Sequence, residues 1–130
     1  MRPKPILALL AAAVFTSCGE PQSPLTGKWQ GRRFGSDVWN MTIDDSHGRL
    51  SGTYAIEWAE EPSKVGGPLS GSRYGPDVLI EFGVQVAAGD AMCRFEARLS
   101  DDVLLSGKTA CRLPGSSEFQ TGHLSLRKGG

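Results

Sequence analysis

Histidine is scarce in this 130-residue chain, net charge is absent, and no apolar run exceeds the ten residues from Ile6 to Phe15. Each shortage excludes a class of function. His47 and His123 are the only histidines, too few for a His-rich zinc site. No serine sits in a nucleophile elbow and no glycine-rich loop follows a strand to cradle phosphate, so an enzyme is the least supported reading and no cofactor is expected. Fourteen Lys and Arg balance fourteen Asp and Glu, which leaves no basic surface for nucleic acid. Ten apolar residues span about 15 Å as a helix against roughly 30 Å of bilayer hydrocarbon, too short to cross. From Leu25 to Lys128 no segment sustains a helical apolar period, which argues against a helical domain. Asp44, Asp45 and His47 could offer donors to a metal, but a hairpin turn is the commoner use of such residues, and no metal is expected.

The N-terminus has a secretory pattern. Arg2 and Lys4 precede the apolar run, and small residues lead from it to Cys18. The segment "VFTSC" resembles the lipobox of bacterial lipoproteins, with Phe15 in place of the usual leucine. The resemblance implies cleavage of the signal peptide, residues 1–17, and lipidation of Cys18 by a diacylglycerol thioether and an N-acyl chain such as palmitate. Each buried CH2 contributes about 0.8 kcal/mol, so three chains anchor permanently to the membrane. Gly19 rather than Asp after the cysteine implies the outer membrane of a bacterial envelope, facing periplasm or surface. An ordinary signal peptide cut nearby, leaving Cys18 as a spare thiol, is the alternative. Residues 18–24 are then a lipidated cysteine and short tether, and 25–130 a single domain, expected to be monomeric.

Within that domain glycine recurs every few residues, and period-two alternation is broken by turn chemistry, the pattern of an antiparallel all-β fold. Eight strands are predicted, at about 25–34, 37–45, 49–58, 67–74, 77–87, 91–100, 103–112 and 118–127. The joints, among them "DDSHG", "YGPD", "SDD" and "LPGSS", are short, so the strands meander. Closing an eight-stranded meander into an up-and-down barrel removes both hydrogen-bonding edges. Alternation turns Trp39, Met41 and Ile43 inward, with Leu50, Gly52, Tyr54, Ile56 and Trp58 on the next strand and Cys93, Phe95, Ala97 and Leu99 on the sixth.

Three cysteines in an exported protein leave one over after pairing, and Cys18 is accounted for by lipid. A hairpin turning at "SDD" sets opposite one another residues whose numbers sum to about 204, so Leu99 faces Leu105, Phe95 faces Thr109 and Cys93 faces Cys111. A Cys93–Cys111 disulfide is therefore expected, worth about 3 kcal/mol in the chain-entropy picture. Two buried free thiols are the alternative.

The triplet Leu-Ser/Thr-Gly occurs four times, starting at Leu25, Leu50, Leu69 and Leu105, and in each copy Leu and Gly share the inner face. Such glycines let a coiled strand bend and a neighbour approach, or they clear a cavity; both readings stay open. "LTGKW", followed by "NMTI" and "GTY", resembles the opening three strands of the avidin and streptavidin family, eight-stranded barrels that bind biotin. The resemblance matches Tyr54 to the tyrosine that hydrogen-bonds the biotin ureido oxygen. Other positions do not carry over: Gly31 stands where the family has Asn, Trp39 displaces a Ser, and no Trp follows Trp58, so biotin is not the expected ligand. The later "FEARLSDDVLLSGKTAC" is similar to small bacterial lipoproteins with lipocalin-like barrels, which implies a fold and no activity.

Two functions are consistent with these residues. The first is non-catalytic binding of a small apolar ligand in the barrel mouth, with Tyr54, Trp58, Trp39, Arg73 and Thr109 as lining candidates. The second is an anchored interaction module that binds a protein or glycan through its loops, for instance as an enzyme inhibitor, with Trp58 beside Glu57, Glu60 and Glu61 as its exposed aromatic. Interior volume separates them: an open cavity above about 300 Å³ favours the first and a packed interior the second.

Overall fold

The computed structural model describes residues 23–33, 37–58, 64–87 and 89–129, so the leader and Cys18 lie outside the described residues. Eight strands follow in chain order: β1 Gly27–Arg33, β2 Asp37–Ser46, β3 Arg49–Glu57, β4 Lys64–Tyr74, β5 Asp77–Val86, β6 Gly89–Ser100, β7 Leu104–Arg112 and β8 Phe119–Gly129. Each pairs antiparallel with the next, and β1 pairs with β8 from Lys28↔Gly129 to Arg32↔Ser125, which closes the barrel. The strands fall where alternation and turn residues put them, except that β1 starts at Gly27, two residues later than predicted, β4 at Lys64 and β6 at Gly89, each earlier, and β8 runs on to Gly129. The sixth and seventh strands keep the predicted register, with Leu99 opposite Leu105, Phe95 opposite Thr109, and Cys93 bonded to Cys111 at a Cα–Cα distance of 4.1 Å.

Connections alternate between two ends. At one end β2 turns into β3 through His47 and Gly48, at φ 54° and 88°, the two positive values a type I′ hairpin requires. Gly75, at φ 59° and followed by Pro76, makes the β4–β5 turn there, and Asp101–Asp102 lead from β6 into β7. This is the turn end. The β1–β2, β3–β4, β5–β6 and β7–β8 connections sit at the other end, the mouth.

The turn end is sealed by the segment that enters β1. Leu25 is fully buried under the barrel, and its carbonyl accepts a 2.9 Å hydrogen bond from the indole Nε1 of Trp29. Lys128 at the end of β8 donates to the Pro24 carbonyl and lies over the Trp29 ring. Asp45 draws the rest together: its carboxylate accepts from Ser23 Oγ at 2.6 Å, from the Gly48 amide at 2.8 Å and from Arg73 Nε at 2.5 Å. Above this plug the interior is filled by Trp29, Met41, Ile43, Leu50, Ile80, Phe95, Leu105, Leu124 and Leu126, all essentially inaccessible.

The repeated glycines belong to this packing. At Gly52, Gly71 and Gly107 a Cβ would fall on the carbonyl oxygen of the adjacent strand, from Thr42, Leu79 and Glu96 respectively. They permit the close strand approach of a small coiled barrel, and at these three positions they clear no ligand space. The leucines of the four triplets, Leu25, Leu50, Leu69 and Leu105, are all core.

Burial by itself would raise the pKa of Asp45, but hydrogen bonds from Ser23, Arg73 and Gly48, with the charge of Arg73, hold its carboxyl below the usual range. A folded-state value below the unfolded one, about 3.9, means the carboxylate stabilises the protein above that pH and loses this contribution as pH falls through the folded value. Asp45→Asn is expected to lower stability by about 2–3 kcal/mol at pH 7 and by less at pH 3. Urea unfolding at both pH values checks this; an equal loss at each would show that the charge does not matter.

Candidate functional site

Above the packed layers the mouth holds a cavity of about 340 Å³, partly open to solvent. Its floor and walls are Trp39, Ile56, Val84 and the Cys93–Cys111 bridge, with Trp58 and Val86 nearer the opening. The strand pleat places them: Trp39 near the start of β2, Ile56 near the end of β3 and Val84 near the end of β5 all turn inward at the mouth. Beneath lies an aromatic layer. Phe82 meets Trp39 edge-on at 5.9 Å between ring centroids and Tyr54 at 4.7 Å, tilted by 44°.

Two charged groups, Arg33 and Asp37, join the apolar residues of this wall, with Gln120 and Thr121 beside them. Arg33, the last residue of β1, shares inward parity with Trp29 and Gly31 and pairs across the hairpin with Asp37. Its guanidinium carbon lies 5.7 Å from the Trp39 ring centroid, in cation–π position. It also occupies space at Gly122, where a Cβ would come within 2.7 Å of Nη2, so the glycine leaves the guanidinium its place. Burial lowers the Arg33 pKa and the charge of Asp37 opposes that, with burial the larger effect. Trp39 is only 1% exposed, and its indole Nε1 has no hydrogen-bond acceptor among the described residues. A buried donor left unpaired costs about 1–3 kcal/mol.

Of the five lining candidates, Trp39 and Trp58 stand at the cavity. Thr109 is fully buried on β7, where its hydroxyl donates to the Gly122 carbonyl. Arg73 is at the turn end, bound to Asp45 and to the Gly75 carbonyl. Tyr54 lies under the cavity, and its hydroxyl donates to the Gly83 carbonyl. That bond has a cause in the sequence. The β4–β5 register stops at Leu69↔Phe82, and the next pair would be Pro68 and Gly83. Counting in alternate pairs from the tight Tyr74–Asp77 turn, Pro68 and Gly83 fall at a hydrogen-bonding position, and proline has no N–H to give. The Tyr54 hydroxyl supplies the missing donor across Gly67, and burial raises its pKa, so it keeps the proton. Arg33, Asp37, Val84, Val86 and Leu113 were missed as site residues; for Arg33 the signal was its inward parity at the end of β1.

No sequence-family model matches the chain, and no curated protein matches it. Among solved structures, apo shwanavidin in one crystal form superposes with a TM-score of 0.62 at 14% identity, covering 84% of this chain and all of shwanavidin. The barrel is avidin-like. A shwanavidin variant in complex with biotin gives a TM-score of 0.60 at 14% identity over the same 84% of this chain and all of that one. A second crystal form of the apo protein gives 0.59 at 13% identity, over 83% of this chain and 98% of that one. At this identity the avidin-like likeness is one of fold.

Elsewhere on the avidin-like barrel, the outer sheet face carries His123 with Nε2 3.2 Å from both Ser106 Oγ and Ser125 Oγ. Among the described residues no group of three or more His, Cys, Asp or Glu is placed to hold a metal.

Tyr54→Phe is expected to cost about 1–2 kcal/mol by leaving the Gly83 carbonyl without its donor. Ligand affinity at the mouth is expected to change less than about threefold, since Tyr54 does not line the cavity. Denaturant unfolding and ligand titration of the variant check the two halves; tenfold weaker binding at unchanged stability would return Tyr54 to the site.

Proposed function

We propose that the protein is a lipid-anchored, non-catalytic binding protein of the bacterial envelope that takes up a small, largely apolar ligand at the barrel mouth. The observation that carries this reading is the open cavity of about 340 Å³ between Trp39 and Trp58 in a barrel otherwise packed by its own side chains. That volume lies at the lower end of the range of small-molecule sites, about 300–1,000 Å³. Biotin is a poor fit, because the Tyr54 hydroxyl is committed to the Gly83 carbonyl.

The anchoring half rests on the lipobox-like "VFTSC" and on geometry. Ser23 is pinned to Asp45 at the turn end, and the five residue steps from it to Cys18 reach at most roughly 18 Å. A bilayer holding Cys18 would lie against the turn end, with the mouth directed away. Replacement of Cys18 by Ser is expected to move the protein from the membrane fraction to the soluble fraction; retention in the membrane would remove lipidation from the proposal.

The alternative interaction module is favoured by one feature, the exposed row Met92, Arg112 and Phe119 across β6, β7 and β8 near the mouth. Melting the purified domain with a panel of apolar small molecules separates the two. A ligand that binds only the folded state at a hundred times its Kd adds about 2.7 kcal/mol, a shift of several degrees. Val86→Trp, which closes the opening, should abolish that shift while leaving the unliganded midpoint within a degree or two. A panel without effect, or shifts that survive Val86→Trp, would overturn ligand binding at the mouth.

A further inference from the structure

The mouth cavity contains one polar arrangement that the fold itself does not require. Arg33 is brought to the cavity wall, laid over the Trp39 ring and given its place by the absence of a side chain at Gly122. Beside it the Trp39 Nε1–H is buried and has no acceptor among the described residues. An indole N–H and a guanidinium are both donors, and both residues border the cavity, on the adjacent strands β1 and β2, with Ile56 next to Trp39 on β3 and Val84 on β5 and the disulfide between β6 and β7 completing the wall. Asp37, across from Arg33, is the acidic side chain that also borders the cavity.

We infer that the ligand is an apolar carboxylic acid, its carboxylate received by Arg33 and by the Trp39 indole N–H, its hydrocarbon body lying along Ile56, Val84 and the Cys93–Cys111 bridge. This rests on the proposed binding at the mouth and adds the chemistry of the ligand's polar end. A carboxylate accepts through two oxygens and so serves both donors, and hydrogen bonds to charged groups in a low-dielectric site are the strong ones. An apolar molecule without an acceptor would leave the indole N–H unpaired and gain nothing from Arg33. A cationic ligand would meet the Arg33 charge at close range. The indole nitrogen is sealed from solvent in the unliganded barrel, so the carboxylate reaches it by drawing the guanidinium from above the ring and taking up a position between them.

The test uses the folded domain and matched probes below their aggregation thresholds: decanoate, decanol and decyltrimethylammonium, titrated by calorimetry at pH 7.5. Decanoate is expected to bind at least tenfold more tightly than decanol, with decyltrimethylammonium weakest. In Arg33→Gln the preference for decanoate over decanol should fall towards one, and Arg33→Lys, which keeps the charge, should recover part of it. Trp39→Phe should weaken decanoate more than decanol. Equal affinity for decanoate and decanol in the wild-type protein would overturn the carboxylate inference while leaving an apolar site at the mouth. Absence of binding by all three probes would remove both.

Discussion

An eight-stranded barrel has an interior just wide enough to be filled by side chains or to hold one small ligand, and it cannot do both at the same level. This chain divides the interior by depth. Trp29, Phe95 and the ring of Leu and Ile around them fill the half nearest the turn end, and Leu25 closes it from below. Space remains above the Trp39–Phe82–Tyr54 layer. Closure of β1 on β8 makes this division possible, because it turns one face of every strand into a common interior and leaves no full-length edge exposed.

The two ends have opposite chemistry for physical reasons. At the turn end, tight hairpins bring backbone amides and short polar side chains together, and Asp45 satisfies three donors at once while holding the segment before β1 in place. At the mouth, the β4–β5 ladder stops at Pro68, which cannot donate, and the Tyr54 hydroxyl supplies the bond instead. A side chain that resembles a ligand-binding tyrosine thus repairs a gap in the sheet. The disulfide ties β6 to β7 beside the cavity, at the mouth end.

Much of this was legible in the chain. Alternation and turn residues gave eight strands, the hairpin at "SDD" gave the register that joins Cys93 to Cys111, and parity gave the inner faces. Depth was harder to read, because period two reports which face a side chain takes and says nothing of its height in the barrel. Arg73 and Trp39 both point inward, yet Arg73 is one residue from the β4–β5 turn and Trp39 follows the β1–β2 connection, so they sit at opposite ends. In a meander, odd and even connections alternate between ends, and counting them would have separated the two. A charged residue beside Arg32 at a strand end reads as surface, whereas the parity Arg33 shares with Trp29 places it inside. The bond from Tyr54 to Gly83 depends on a tertiary gap between β4 and β5, for which Pro68 was the one local sign.

The three tryptophans divide between the ends, and that offers the most direct test of a barrel packed at one end and receptive at the other. Trp29 is sealed into the plug with its N–H on the Leu25 carbonyl, whereas Trp39 and Trp58 border the cavity. In a 15N-labelled sample each tryptophan gives one indole N–H signal, and decanoate can be titrated against all three. The predicted result is progressive movement of the Trp39 and Trp58 signals, with Trp39 shifting in the direction of a newly formed hydrogen bond, and a stationary Trp29. Movement of Trp29 alone, or no movement of any signal at saturating ligand, would contradict the division of the barrel on which the functional reading depends.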